Sequence, residues 1–337
     1  MQEIAGQIQE IIKGYRNEDG IHIQIQDVKD WACQFGDNAT FMLSELLHLL
    51  KQIYLSKEQA IKNLRNILNK QYKEYGFKTV EEYLQNTCFL RLQTTGKSQH
   101  IYLDMLDEIV YEKTGHHISE YDNFPKKVFV YLDDLLASGG TIRRDLQKWL
   151  SLDNHSELLR ERKIKLEISL MCVHTLGLSF MLYGIKQKFG NLPIICRTCY
   201  EIQNHLKWSN QELNIAIPVK DQPKEAQEYL ASLEAYKYEE YAYRDPSKPE
   251  KEMFFTSPEN RVKFENILLE KGLYIINQIK GKVNPNVRPL GLINPLYKTF
   301  GLGTHFFTWR NIPNNCPLVY WWDIPEHDWK PLFPPKR

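Results

Sequence analysis

The chain has 337 residues, enough for about two domains or one core with large additions, and its 42% apolar and 25% charged content is that of an ordinary globular protein able to bury a core. Lys and Arg number 43 against 42 Asp and Glu, a formal charge of +1, which argues against a surface that is a nucleic-acid footprint throughout and leaves room for a local basic patch. Six cysteines in this length do not make a disulfide scaffold, and no apolar run approaches the length of a membrane span. Met1-Gln2-Glu3-Ile4 is not a basic segment leading into an apolar one, so the expectation is a cytoplasmic protein with reduced thiols and no membrane partner.

The N-terminal part is predicted helical. Over residues 41–68, Leu43, Leu46, Leu47 and Leu50 fall at helical spacing, followed by Ile53 and Tyr54. Ser56 with Glu58 marks a second helix start, with Ala60, Leu64 and Leu68 as its apolar face. This pair carries no chemistry and reads as a packing module. Near Val80 the texture changes. A short helix ends at 85, and Thr87 to Leu92 is a short apolar strand. The polar loop Gln93-Thr94-Thr95-Gly96-Lys97-Ser98 follows, then a helix over 101–111. Residues 127–132 form a β-branched and aromatic strand, followed by a loop and a helix with Leu146 and Leu150 inward. Residues 163–173 alternate as a strand through Ile164, Leu166, Ile168 and Leu170; 180–189 is a helix and 192–196 a further strand. Strand, loop and helix in repetition predict an α/β fold, a Rossmann-like parallel sheet with helices on its faces and ligand-binding loops at one edge.

After about Tyr200 the pattern breaks. Residues 220–251 read as a solvated helix and linker, and Ser257-Pro258-Glu259 opens a helix running to about Ile279. Residues 291–322, dense in Gly, Pro, Asn and aromatics, are expected to be irregular strands and turns. Three regions result: a helical region at 1–79, the α/β core at 80–205 and a C-terminal cap at 206–337.

The sharpest segment runs from Val128 to Ile142. It is a buried strand, the adjacent carboxylates Asp133 and Asp134 at its end, the small turn Ala137-Ser138-Gly139-Gly140, and a helix N-terminus beginning near Thr141. The glycines let backbone N–H groups converge, Ser138 and Thr141 add hydroxyls, and the helix dipole adds positive potential, a combination that cradles phosphate. Carboxylates cannot hold phosphate. They suit sugar hydroxyls or a hard cation such as Mg2+, so the whole fits a ribose 5-phosphate.

This segment resembles the phosphoribosyl-pyrophosphate motif of the type I phosphoribosyltransferases. The resemblance implies that Asp133 and Asp134 face the ribose 2′- and 3′-hydroxyls while Ala137 to Thr141 wrap the 5-phosphate. It also implies a pyrophosphate loop after an earlier strand. Cys88 to Ser98 has that shape: Gly96 and Ser98 offer N–H donors, and Lys97 and Arg91 offer charge. Gly96-Lys97-Ser98 also suggests a nucleotide-binding P-loop, but Arg91 stands where its first glycine belongs. His174 ends the next strand, where base-using members carry a base contact. It could hydrogen-bond or titrate near neutral pH, or simply be a structural edge histidine. Cys196-Arg197-Thr198-Cys199 has CxxC spacing without a second pair, and buried packing fits better than redox or zinc chemistry.

Residues 300–322 contain Trp309 and Arg310, placed to stack and read an acceptor base in the hood of such an enzyme, or to form a plain aromatic cap. The combination further resembles phosphoribosyltransferase-like proteins of bacterial conflict and anti-phage operons, some linked to retron reverse transcriptases. Gly96-Lys97-Ser98-Gln99, Tyr131 to Thr141, His174-Thr175-Leu176-Gly177 and Phe307 to Pro317 carry this likeness over most of 35–322. It implies a phosphorylated ribose or nucleotide substrate with Mg2+, a toxic-effector role, and a complex with a reverse transcriptase or nucleic acid. One departure is the interval from Ser98 to Asp133, which a helix and a short stretch fill, leaving little or no room for the flexible lid of the well-characterised enzymes. Two function classes therefore stand: an enzyme acting at the ribose anomeric carbon, and a non-catalytic ribose-phosphate sensor or regulatory subunit.

Overall fold

The N-terminal leucine spacing folds as predicted into helices α1 (Gln2–Ile12), α2 (Ile25–Cys33) and α3 (Ala39–Ile53), the last burying Leu43, Leu46, Leu47 and Leu50. The short strand β1 (Tyr54–Leu55) leads into α4 (Lys57–Glu74), which buries Ala60, Leu64 and Leu68. Helix α5 (Val80–Asn86) is capped by Thr79, whose hydroxyl accepts the Glu82 N–H, and β2 (Thr87–Phe89) follows directly. Next come α6 (Ser98–Thr114), β3 (Val128–Leu136), α7 (Gly140–Leu150), α8 (His155–Arg160), β4 (Lys165–His174), α9 (Thr175–Phe189) and β5 (Ile194–Ile202). Beyond these lie α10 (Lys224–Ser232), α11 (Pro258–Asn277) and the two-residue β6 (Phe307–Thr308). Helix α11 starts as its sequence requires, with Ser257 accepting the Asn260 N–H and Pro258 in the first turn. This computed structural model describes residues 1–206, 212–233 and 237–335; parts of the predicted 220–251 helix and linker lie outside them.

Strands β2, β3, β4 and β5 form one sheet in that order, with β2 parallel to β3 and β3 parallel to β4. Parallel strands need crossovers, which α6, α7 with α8, and α9 supply. In register, Phe129 sits opposite Leu166, Tyr131 opposite Ile168 and Asp133 opposite Leu170. Paired residues share a face, so this face carries Tyr131, Leu166, Ile168 and Leu170 into a core with Ile142, Leu146, Trp149, Leu159, Met181 and Ile185 of α7, α8 and α9. The α/β parallel-sheet fold predicted from the sequence is the one observed. Among the described residues no helix is long and apolar enough to cross a membrane.

The domain division differs from the three regions expected. The chain forms two compact units, Glu58–Glu201 and a second made of Met1–Lys57 with Ile202–Arg337. The cause is backbone pairing between the chain's ends. β1 lies parallel to β6, the Trp309 N–H donates to the Leu55 carbonyl at 3.0 Å, and the Arg16 N–H donates to the Trp309 carbonyl at 2.7 Å. The Trp31 indole donates to the Val319 carbonyl at 2.8 Å. Helices α3 and α4, expected as a pair, therefore belong to different units.

Helix α4 instead completes the sheet unit. On the face of β4 opposite this core, Glu167 is fully buried. Tyr75, just past the end of α4, donates to its carboxylate at 2.6 Å, Gln71 of α4 donates to it as well, and Arg197 of β5 pairs with it at 3.1 Å. A buried carboxylate is tolerated only when its lone pairs are filled this way. Tyr75→Phe removes one donor and little volume. It is expected to cost about 1–3 kcal/mol of unfolding free energy in a denaturant titration; an unchanged midpoint would show that water replaces the hydroxyl.

Candidate functional site

Asp133 and Asp134 lie near the C-terminal end of β3, and the turn after them passes straight into α7. Gly139 has a left-handed backbone, φ +72°, that an L side chain rarely adopts. A Cβ on Gly139 would also stand 2.5 Å from the Gly177 carbonyl oxygen and 2.8 Å from the Met181 Cβ. A Cβ on Gly177 would stand 1.8 Å from the Ala137 carbonyl oxygen. The turn is thus pressed backbone to backbone against the first turns of α9. That contact leaves Ser138 and Thr141 exposed at the α7 N-terminus, where helix N–H groups lack intrahelical acceptors. Ser138 accepts the Gly140 N–H at 3.4 Å, and the Arg144 guanidinium lies 3.4 Å from the Thr141 hydroxyl.

The loop between β2 and α6 reaches the same carboxylate. The Ser98 hydroxyl donates to Asp133 Oδ1 at 2.6 Å, and the Gln93 amide donates to Oδ2 at 2.5 Å. The Asp134 N–H adds a third donor at 2.9 Å. Gln93 also donates to the Tyr131 hydroxyl at 2.8 Å, which in turn donates to Asp145 of α7 at 2.8 Å. The buried Gln99 accepts both the Leu92 and the Gln93 N–H, at 2.8 and 3.0 Å. Gly96, with φ +86°, and Lys97 are left exposed at the loop tip. Sequence reasoning placed Ser98 as a ligand donor and missed Gln93, Tyr131 and Asp145. Glutamine and tyrosine at a strand end carry no motif, and only the fold brings them together.

The remaining candidates separate from this cluster. Arg91 turns to Asp104 of α6 at 3.5 Å, an exposed pair, so the loop's charge is that of Lys97. His174 is fully buried, and burial pushes its imidazole down to about 3; it stays neutral and does not titrate near pH 7 as expected. Its ring has no exposed surface for a base. Trp309 and Arg310 belong to the unit without the acidic strand, and the Trp309 ring is buried there beside the β1–β6 pairing. Cys196 and Cys199 both lie in the extended strand β5, where a separation of three residues is roughly 10 Å, too far for a disulfide or a shared zinc. Residues 98–128 are mostly helix: α6, a short 3-10 turn at Ile118–Tyr121, and the approach to β3. The predicted helix over 101–111 is longer at both ends, and the interval holds no long lid loop.

Asp133 is 3% and Asp134 8% exposed. Burial first, then the Asp134 charge, pushes the Asp133 carboxyl up to about 7, although its three donors pull the other way. An unfolded aspartate ionises near 4. Between about pH 4 and 7 the folded chain therefore holds a proton the unfolded chain has lost, and stability falls as pH rises through that window. Asp133→Asn removes the titrating group. It is expected to raise the melting temperature by several degrees at pH 8, with a gain that shrinks toward zero at pH 4.5. A gain independent of pH, or a loss at pH 8, would show Asp133 ionised and stabilising.

No curated protein and no solved structure matches the chain. The PRTase-CE family matches residues 28–334, nearly the whole length, and it is a family of phosphoribosyltransferase type. The acidic strand end, the glycine turn into a helix and the parallel sheet beneath them are what such a family requires, and the chain belongs to the PRTase-CE family.

Proposed function

We propose that the chain binds a phosphorylated ribose bearing a diphosphate or, in a nucleotide, a base at its anomeric carbon, and breaks that bond in favour of an acceptor. The observation that carries this reading is that the 93–98 loop is bonded to the acidic pair, from which the chain runs directly into the glycine turn of α7. Backbone N–H groups of 138–141 would hold the 5-phosphate. The exposed Lys97 would meet the diphosphate, which departs with the electron pair of the C1–O bond while the acceptor attacks C1. Catalysis of this kind is chiefly positioning and stabilisation of the oxocarbenium-like carbon. No residue stands out as a general base, and a non-catalytic ribose-phosphate sensor is the second reading, favoured by the helix-filled interval before β3.

Mg2+ fits the donor set only as a partner of the substrate. Among the described residues no three His, Cys, Asp or Glu side chains gather as a metal cage. Asp133 and Asp134 supply hard oxygen donors, which suit an ion that keeps its waters and rides on phosphates. Bound there, it would neutralise diphosphate charge. The defence role and a reverse-transcriptase or nucleic-acid partner are part of the same proposal and rest on likeness to conflict-operon proteins.

Calorimetry tests the reading with phosphoribosyl pyrophosphate, with and without Mg2+. Binding is expected with Mg2+, and no heat in either case would end the ribose reading. Lys97→Ala is expected to weaken diphosphate-bearing ligands about ten-fold and ribose 5-phosphate by less than two-fold. Equal loss for both would mean that the loop has another role. Release of pyrophosphate or a free base separates enzyme from sensor.

A further inference from the structure

We propose that the two carboxylates divide their labour: Asp133 is a positioning residue that tethers the diphosphate loop to the acidic strand, leaving the direct ribose contact to Asp134. This rests on the ribose-phosphate reading above and departs from the equal roles that reading assigns to the pair.

The geometry is that of an acceptor already largely occupied. Asp133 takes three donors: the Ser98 hydroxyl and Asp134 N–H on Oδ1, and the Gln93 amide on Oδ2. A carboxylate has about four lone-pair sites, and this one is buried. A ribose hydroxyl could reach only the one site left, on Oδ2 beside Gln93, or would have to displace Ser98 or Gln93, both of which come from the loop that would hold the diphosphate. Gln93 is itself fixed on every side. Its amide bridges Asp133 and the Tyr131 hydroxyl, its N–H is held by Gln99, and its carbonyl lies 2.8 Å from the His100 ring. Tyr131 passes the chain on to Asp145 in α7, the helix whose N-terminus forms the 5-phosphate cup. One continuous chain, Ser98–Asp133–Gln93–Tyr131–Asp145, therefore sets the distance between the two phosphate-binding loops. Ser98 opens α6, so its tether also fixes where the Gly96–Lys97 tip points.

The test uses the full chain and two probes, inorganic pyrophosphate with Mg2+ and ribose 5-phosphate, titrated by calorimetry. Ser98→Ala and Asp133→Asn are each expected to weaken pyrophosphate about ten-fold and ribose 5-phosphate less than two-fold. Ser98→Thr, which keeps the hydroxyl, is expected to restore pyrophosphate binding. Loss of ribose 5-phosphate exceeding loss of pyrophosphate in Asp133→Asn would make Asp133 a ribose ligand and overturn the proposal. If the unsubstituted chain binds neither probe, the ribose-phosphate reading falls, and amide hydrogen exchange decides the tether alone. Faster exchange at 94–98 in Ser98→Ala, with Ser98→Thr unchanged, supports it. No difference between Ser98→Ala and the unsubstituted chain overturns it.

Discussion

A single buried carboxylate organises the candidate site. Asp133 sits in a sheet flanked by apolar layers, where an ionised group is costly unless donors surround it. The chain provides those donors from elements far apart in sequence, so satisfying one side chain draws the loop after β2 onto the end of β3. The glycine turn is fixed independently, by backbone contact with α9 that no side chain larger than hydrogen would allow. Between them these two constraints place the N-terminus of α7 and an exposed Lys97 at one edge of the sheet.

The same logic recurs on the opposite face. Glu167 is as deeply buried as the apolar residues around it, and Tyr75, Gln71 and Arg197 answer it. Such networks hold only in one arrangement, because each missing partner leaves a desolvated group behind. Helix α4 is thereby locked to the sheet unit although sequence order places it with the N-terminal helices. The other unit is closed by its own backbone pairing, β1 with β6, and by the Arg244–Glu265 ion pair at 2.8 Å, buried on both sides.

What could be read in the sequence follows from where the information is local. Val128 to Ile142 contains strand, acids, glycines and helix start within fifteen residues, so its local fold was legible. The strands at 87, 128 and 163 were legible too, since β-branched runs between turn signals have few alternatives. The second face of β4 was less legible, since nothing in the sequence says that Tyr75 and Gln71 will cover Glu167. For His174 the sequence left a titratable base contact and a structural edge histidine both open, and its full burial favours the second. For Trp309 the sequence left a base platform and an aromatic cap both open; its backbone joins β1, a contact across 254 residues that no local pattern reports.

The central claim is that the acidic strand, the glycine turn and the 93–98 loop form one ribose-phosphate site. A crystal structure of the chain with phosphoribosyl pyrophosphate and Mg2+ tests it most directly. The account predicts the 5-phosphate on the N–H groups of 138–141, the diphosphate beside Gly96 and Lys97, and Asp133 still bonded to Ser98 and Gln93. A ligand bound elsewhere, with the glycine turn and the loop empty, would contradict it.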